Sequence, residues 1–123
     1  MIQGTVMPWH EAVVQLTVTG EGGREVEVAA IVDTGFSGSL LLPREVVAEL
    51  GLVLEDVESV VLTDGSERDI PLYRCTVAWD GRPRRVSALC AEGDVLIGMS
   101  MIWGHLLTVR AADHGEVIIQ PLG

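Results

Sequence analysis

The sequence predicts a mostly β fold with one or two short helices, in a single domain over residues 1–123. Three observations carry this. Residues 13–19 alternate, with Val14, Leu16 and Val18 on one side and Gln15, Thr17 and Thr19 on the other, the period of a half-buried strand. Val-rich runs recur along the chain, separated by glycine-bearing turns. The chain has one domain's length, and its 48% hydrophobic content is enough for a real core.

The elements follow in order. Gly20-Glu21-Gly22-Gly23 turns the first strand into a second, 26–32, closing a hairpin. The end of that strand, Ala29-Ala30-Ile31-Val32, is apolar throughout and is expected to be buried on both faces. Residues 33–38 form a glycine-flanked loop, and 40–42 a short apolar strand. Pro43 can begin a helix at its first turn, residues 45–50 fit one short helix, and Gly51 ends it. Strands at 57–62 and 70–77 surround Thr63-Asp64-Gly65-Ser66, where an Asp-Gly pair between apolar runs marks a hairpin. Residues 77–79 and 85–89 flank another turn at Asp80-Gly81. Val95-Leu96-Ile97 is a buried strand ending at Gly98, and 106–109 and 117–119 flank a last turn near Asp113-His114-Gly115.

The charge balance excludes one class of partner. Eight Lys+Arg stand against eighteen Asp+Glu, a net charge of −10, whereas a nucleic-acid binder needs basic residues to neutralise phosphate. The basic patch 82–85, beside Pro83, reads as a solvated strand start. Two copies of so acidic a chain repel, so a homodimer must overcome that through buried contacts. Cys75 and Cys90 form neither a zinc spacing nor a Cys-x-x-Cys motif, and their apolar neighbours point to buried reduced thiols, with a single disulfide left open. There is no basic segment leading into an apolar stretch at the N-terminus and no apolar run long enough for a bilayer, so a soluble cytoplasmic protein without a membrane partner is expected. Gly35-Phe36-Ser37-Gly38 lacks the nucleophile-elbow spacing, and His10, His105 and His114 are scattered without metal-ligand spacing. No cofactor or metal site is expected.

Among the seven Asp residues, Asp33 stands apart. Asp56, Asp64, Asp69, Asp80, Asp94 and Asp113 lie in polar turns or beside charges, where solvation explains them. Asp33 follows four apolar residues and precedes Thr34-Gly35. A carboxylate at the mouth of a buried strand is costly unless it is hydrogen-bonded or working. Taken locally, it is also consistent with an Asp accepting backbone N–H bonds in a Gly turn.

The run Ala29-Ala30-Ile31-Val32-Asp33-Thr34-Gly35 resembles the apolar-apolar-Asp-Thr-Gly signature of retropepsin-like aspartic peptidases. Val95-Leu96-Ile97-Gly98 resembles their later apolar-apolar-Gly segment, which packs beneath the catalytic loop. The order of elements fits over roughly residues 13–119, and Asp33-Thr34-Gly35-Phe36 looks like a small bacterial and archaeal subgroup with Phe after the Gly. The resemblance implies a closed acid-protease β-barrel. It also implies a homodimer, because the chemistry needs two aspartates and this chain holds one Asp-Thr-Gly. One carboxylate deprotonates a water and the other, protonated, donates to the scissile carbonyl. Such a pair shares one proton and titrates as a unit.

By the same resemblance, Asp33 is catalytic, Thr34 braces the two loops across the dimer axis, and Gly35 lets backbone approach a peptide closely. The hairpin 62–72 is the flap, so Phe36, Asp64, Gly65 and Ser66 are the expected substrate contacts. Two departures stand out. Phe36 replaces a residue that in pepsin-like enzymes often donates to the carboxylate, implying a less acidic optimum than theirs and a narrowed or strongly apolar pocket, with apolar residues beside the cut. Ser37 and Met99 occupy the positions of an Asp–Arg pair near the viral interface, so Met99, Met101, Ile102 and Trp103, with a terminal strand, become the expected dimer contacts. Two readings remain: a homodimeric aspartic endopeptidase acting on a peptide or protein, and a peptidase-like β domain that binds peptides or partners without cutting.

Overall fold

In the computed structural model, which describes residues 1–123, the alternation of residues 13–19 becomes the middle of a long strand. The chain runs β1 (Ile2–Met7), β2 (Glu11–Thr19), β3 (Glu25–Val32), β4 (Leu40–Leu42), α1 (Arg44–Leu50), β5 (Val53–Val61), β6 (Glu67–Trp79), β7 (Arg82–Cys90), β8 (Val95–Ile97), α2 (Met99–Ile102), β9 (His105–Val109) and β10 (Glu116–Pro121). The mostly β class with two short helices is therefore as expected. Strand β1 was not expected. Pro43 lies just before α1 and caps it without a side-chain bond, and Gly51 ends it in the left-handed conformation. The turn between β6 and β7 has two residues, Asp80 and Gly81, both at positive φ as a type I′ hairpin requires. Neither helix is long and apolar enough to cross a membrane.

The strands pair in the order β5-β6-β7-β4-β8-β3-β2-β1-β10-β9. A further pairing of β2 with β6, through Val18 opposite Val77, closes β2, β3, β8, β4, β7 and β6 into a hydrogen-bonded circuit. Alternation then decides what the circuit encloses. Leu16, Val18, Ala30, Leu40, Leu42, Val77, Ala88 and Ile97 are all buried, and Val117 and Ile119 of β10 extend the same core. Cys75 belongs to it too, and burial pushes its thiol up to about 11. Neither cysteine is in a disulfide.

The end of β3 departs from expectation. Ala30 is fully buried, but Ala29 is exposed and Ile31 only half-buried. The inward side of β3 faces the core, while no second layer covers its outward side. Asp33 follows β3 directly, two residues beyond Ile31.

Candidate active site

Strands β3 and β4 are consecutive in sequence yet do not pair. Strand β8 lies between them, parallel to β3 and antiparallel to β4. The loop 33–39 must therefore arch over the end of β8, and the backbone records how it is held there. Asp33 N–H donates to the Ile97 carbonyl at 2.9 Å, Gly98 N–H to Ser39 at 3.1 Å, Met99 N–H to Phe36 at 2.8 Å and Ser100 N–H to Gly38 at 3.2 Å. The Ser100 hydroxyl adds a bond to the Ser37 carbonyl at 2.6 Å. The segment Ile97–Ser100 thus holds the loop at Asp33 and from Phe36 to Ser39, as the Val95-Leu96-Ile97-Gly98 motif led one to expect.

Within the loop, Asp33 is half-buried, and its Oδ1 accepts the Gly35 N–H at 2.9 Å. Gly35 does not adopt a positive φ, so turn geometry does not demand glycine there. A Cβ at position 35 would lie 3.2 Å from Asp33 Oδ1, close enough that the carboxylate would have to shift by a few tenths of an ångström. Thr34 is exposed beside the carboxylate. Phe36 is half-buried, and its ring folds back over Gly38 and Gly98. The ring shields the support beneath the loop rather than projecting away from it.

Asp64, Gly65 and Ser66 lie apart from this cluster. They form the exposed tip of the β5–β6 hairpin, with Gly65 at φ +84°. Asp64 Oδ1 accepts the Ser66 hydroxyl at 2.6 Å and the Ser66 N–H at 2.9 Å, and the hydroxyl bond is the main reason its carboxyl lies below the usual range. The tip is bonded within itself, with no hydrogen bond to the Asp33 loop. Strand β5 is exposed along nearly its whole length. Its base is fastened: Glu55 accepts the Ser87 hydroxyl at 2.6 Å and Arg74 Nε at 2.8 Å, bonds that hold its carboxyl below the usual range.

Two concave surfaces are prominent, and only the second is lined by a residue of the loop, Thr34. On the open side of β3 lies a cavity of about 600 Å³, lined by Ile31 and its register partner Val13, by Trp9, and by the carboxylates Glu11 and Asp94. On another side, Thr34, Met99, Ile102, Trp103, Leu107 and Leu122 line a groove of about 510 Å³.

The expected dimer contacts need correction. Met101 is fully buried and Ile102 nearly so, because α2 turns both into the core. Trp103, in contrast, is 75% exposed. The terminal strand β10 is paired on both edges, with β1 and with β9, and has no free edge to offer.

Sequence reasoning missed two supports. Ser100 carried no signal. Arg84 did: it stands in the same register of β7 as the buried Ala88, where a charge needs a partner. Its guanidinium donates to the Met101 carbonyl at 2.7 Å and the Ser100 carbonyl at 3.2 Å, and lies 5.6 Å from the centre of the Trp79 ring. Trp79 Nε1, a donor only, reaches His105 Nε2 at 3.2 Å, so His105 carries its proton on Nδ1 and donates to the Trp103 carbonyl at 2.9 Å. No group of three or more His, Cys, Asp or Glu side chains gathers to hold a metal.

No family model matches the chain, and no curated protein sequence does. Solved structures do match. The chain is similar to a retropepsin-like aspartic protease from Rickettsia conorii, with a TM-score of 0.63, 16% identity, and 98% of this chain and 89% of that one covered. It is also similar to EIAV protease in complex with the inhibitor HBY-793, with a TM-score of 0.58, 12% identity, and 75% and 85% covered. These likenesses show the fold: it is retropepsin-like.

Proposed function

We propose that the protein is an aspartic endopeptidase, active as a homodimer in which each copy supplies one Asp33. The observation that carries this reading is the clasped loop. A half-buried carboxylate stands at its start and accepts the Gly35 N–H, and the loop backbone is fixed by five hydrogen bonds with Ile97–Ser100. Fixing a reacting group in advance is what acid–base chemistry at a carboxylate requires.

In the dimer, one Asp33 takes a proton from water as it attacks the scissile carbonyl, and the protonated partner donates to the carbonyl oxygen. Two adjacent carboxylates cannot both ionise cheaply, so the pair holds a single proton. Thr34 braces the paired loops, and Gly35 lets a peptide backbone approach. The β5–β6 hairpin is the flap, its tip Asp64-Gly65-Ser66 closing over the substrate. Phe36 takes a supporting role under the loop, since its ring lies on Gly38 and Gly98.

Digestion of a peptide library by the wild type and by Asp33→Asn tests this. Cleavage by the wild type that disappears in the variant is the expected result. A confirmed dimer that cuts nothing between about pH 3 and pH 8, across the range where a carboxylate pair titrates, favours the peptide-binding reading.

A further inference from the structure

We infer that the cavity on the open side of β3 takes an arginine or lysine side chain of the peptide substrate, with Glu11 and Asp94 as its anionic partners and the Trp9 indole beside its charge. This rests on the peptidase reading for one point only, the assignment of the occupant to a substrate. The preference for a cation comes from the cavity itself.

First, the cavity lies near Asp33. Ile31 lines it and stands two residues before Asp33, about 7 Å away at a strand's rise per residue. Asp94 lines it too and immediately precedes β8, whose Ile97 carbonyl accepts the Asp33 N–H. Phe36, from which an apolar preference was expected, does not line it. Second, its charge is unanswered. Glu11 and Asp94 line the cavity, none of the chain's eight basic side chains does, and neither carboxylate belongs to an ion pair. His114 is the one other titratable group in the lining. Third, Trp9 Nε1 donates to Glu11 Oε1 at 2.6 Å, which holds the indole beside the carboxylate and leaves Oε2 for a ligand. An indole is the best aromatic partner for a cation, a guanidinium most often. Fourth, about 600 Å³ accommodates a long side chain, its methylene stem on Val13 and Ile31 and its charged head at the carboxylates. An apolar side chain of the same length would cover Val13 and Ile31 equally well. It would also take two carboxylates out of water with nothing to pair them, so the charges set the selection.

Fluorescently labelled octapeptides carrying Arg, Lys, Met or Glu at one position at a time test this on the full chain. At one position, kcat/KM with Arg or Lys should exceed that with Met at least about tenfold, the lower end for a contact to a charged group. Glu11→Gln and Asp94→Asn keep the shape and remove the charge. Each should reduce the ratio, and the double variant should bring it within about twofold of unity, with far-UV spectra preserved. Glu25→Gln, at the far end of β3, changes the net charge equally and should leave the ratio as in the wild type. Added salt should lower the ratio by screening the charges. The inference is overturned if Met is preferred at every position, if the ratio survives in the double variant, or if Glu25→Gln lowers it as much. If nothing is cleaved, fluorescence anisotropy of the same peptides decides. Tighter binding of the Arg or Lys peptides that is lost in the double variant sinks the peptidase reading and leaves the cavity's preference standing. Binding without that discrimination, or no binding, overturns the inference as well.

Discussion

The Ser100 hydroxyl donates to the Ser37 carbonyl at 2.6 Å, a neutral bond at the place where the resemblance to viral enzymes led one to look for an ion pair. With Ser37 and Met99 at those positions there is no charge to pair, and the clasp is made by Ser100 from the next position along. The bond is exposed, so Ser100→Ala should cost about 0.5–1.5 kcal/mol in stability. Its larger effect should be on turnover, because the loop bearing Asp33 loses one of its holds. Steady-state kinetics should show kcat falling more than KM changes. Equal kinetics in the two proteins would mean the backbone bonds alone set the loop.

Gly98 and Gly38 both touch Phe36, but differently. A methyl at position 98 would overlap the backbone carbonyls of Gly38 and Phe36, which cannot move without opening the clasp. A methyl at position 38 would meet only the Phe36 ring, at 2.6 and 2.8 Å, and a ring can rotate away. Gly98→Ala should therefore cost at least the upper end of the usual overpacking range of about 1–3 kcal/mol, and Gly38→Ala the lower end. Chemical denaturation of both variants gives the order directly.

Strong local patterns were legible in the sequence, and orientations were not. The β2–β3 hairpin, the Asp33 loop and the Val95–Ile97 strand could be read because alternation and motif agreed there. Strand β1 was hidden because Gly4 occupies the inward register between Ile2 and Val6, which breaks the apolar alternation. The start of β5 was hidden by the register shift between Leu54 and Asp56. Helix α2 has four residues, too few for periodicity to say that Met101 points inward while the following Trp103 points out. Ala29 and Ile31 looked like core because they are apolar, yet composition does not separate a residue buried in the subunit from one left open toward a cleft. Arg84 is the instructive miss, since its register alone marked it as needing a partner.

Glu55 makes the hairpin base sensitive to acid. Its folded-state pKa is depressed, first by the Ser87 hydroxyl and then by Arg74. The stabilisation is thus fully present above the unfolded value of 4.5 and is lost as pH falls through the lower folded value. Below that window β5 should loosen from β6 and β7. Glu55→Gln should show the same loosening at pH 7, read as faster amide exchange in β5 than in the wild type at that pH. Protection in β5 that is unchanged by Glu55→Gln would show that the ladder to β6 suffices.

The two cysteines should differ in access. Cys75 is buried with its thiol raised to about 11, and Cys90 is half-buried with a smaller rise, again from burial. The thiolate is the reacting form, so both should alkylate slowly at neutral pH. Native-state labelling followed by mass mapping should find Cys90 modified first and Cys75 only after unfolding. Prior labelling of Cys75 would mean that β6 opens locally.

Arg84 ties β7 to the end of α2. Its guanidinium caps the carbonyls of Ser100 and Met101 at the end of α2, groups that a helix end leaves unpaired. Trp103, the next residue after α2, inherits whatever order that cap provides. Arg84→Met keeps an apolar stem against Trp79 but removes the donors, and should cost about 1.5–3 kcal/mol, the range for hydrogen bonds to a charged group. Arg84→Lys keeps the charge without the planar fork and should fall between the two. Thermal unfolding reads the stability order. Sedimentation reads any link to the proposed dimer: Arg84→Met should weaken it, because Trp103 is held less firmly beside the Asp33 loop. A variant destabilised to the expected extent but dimerising as the wild type does would show that the cap serves the subunit alone.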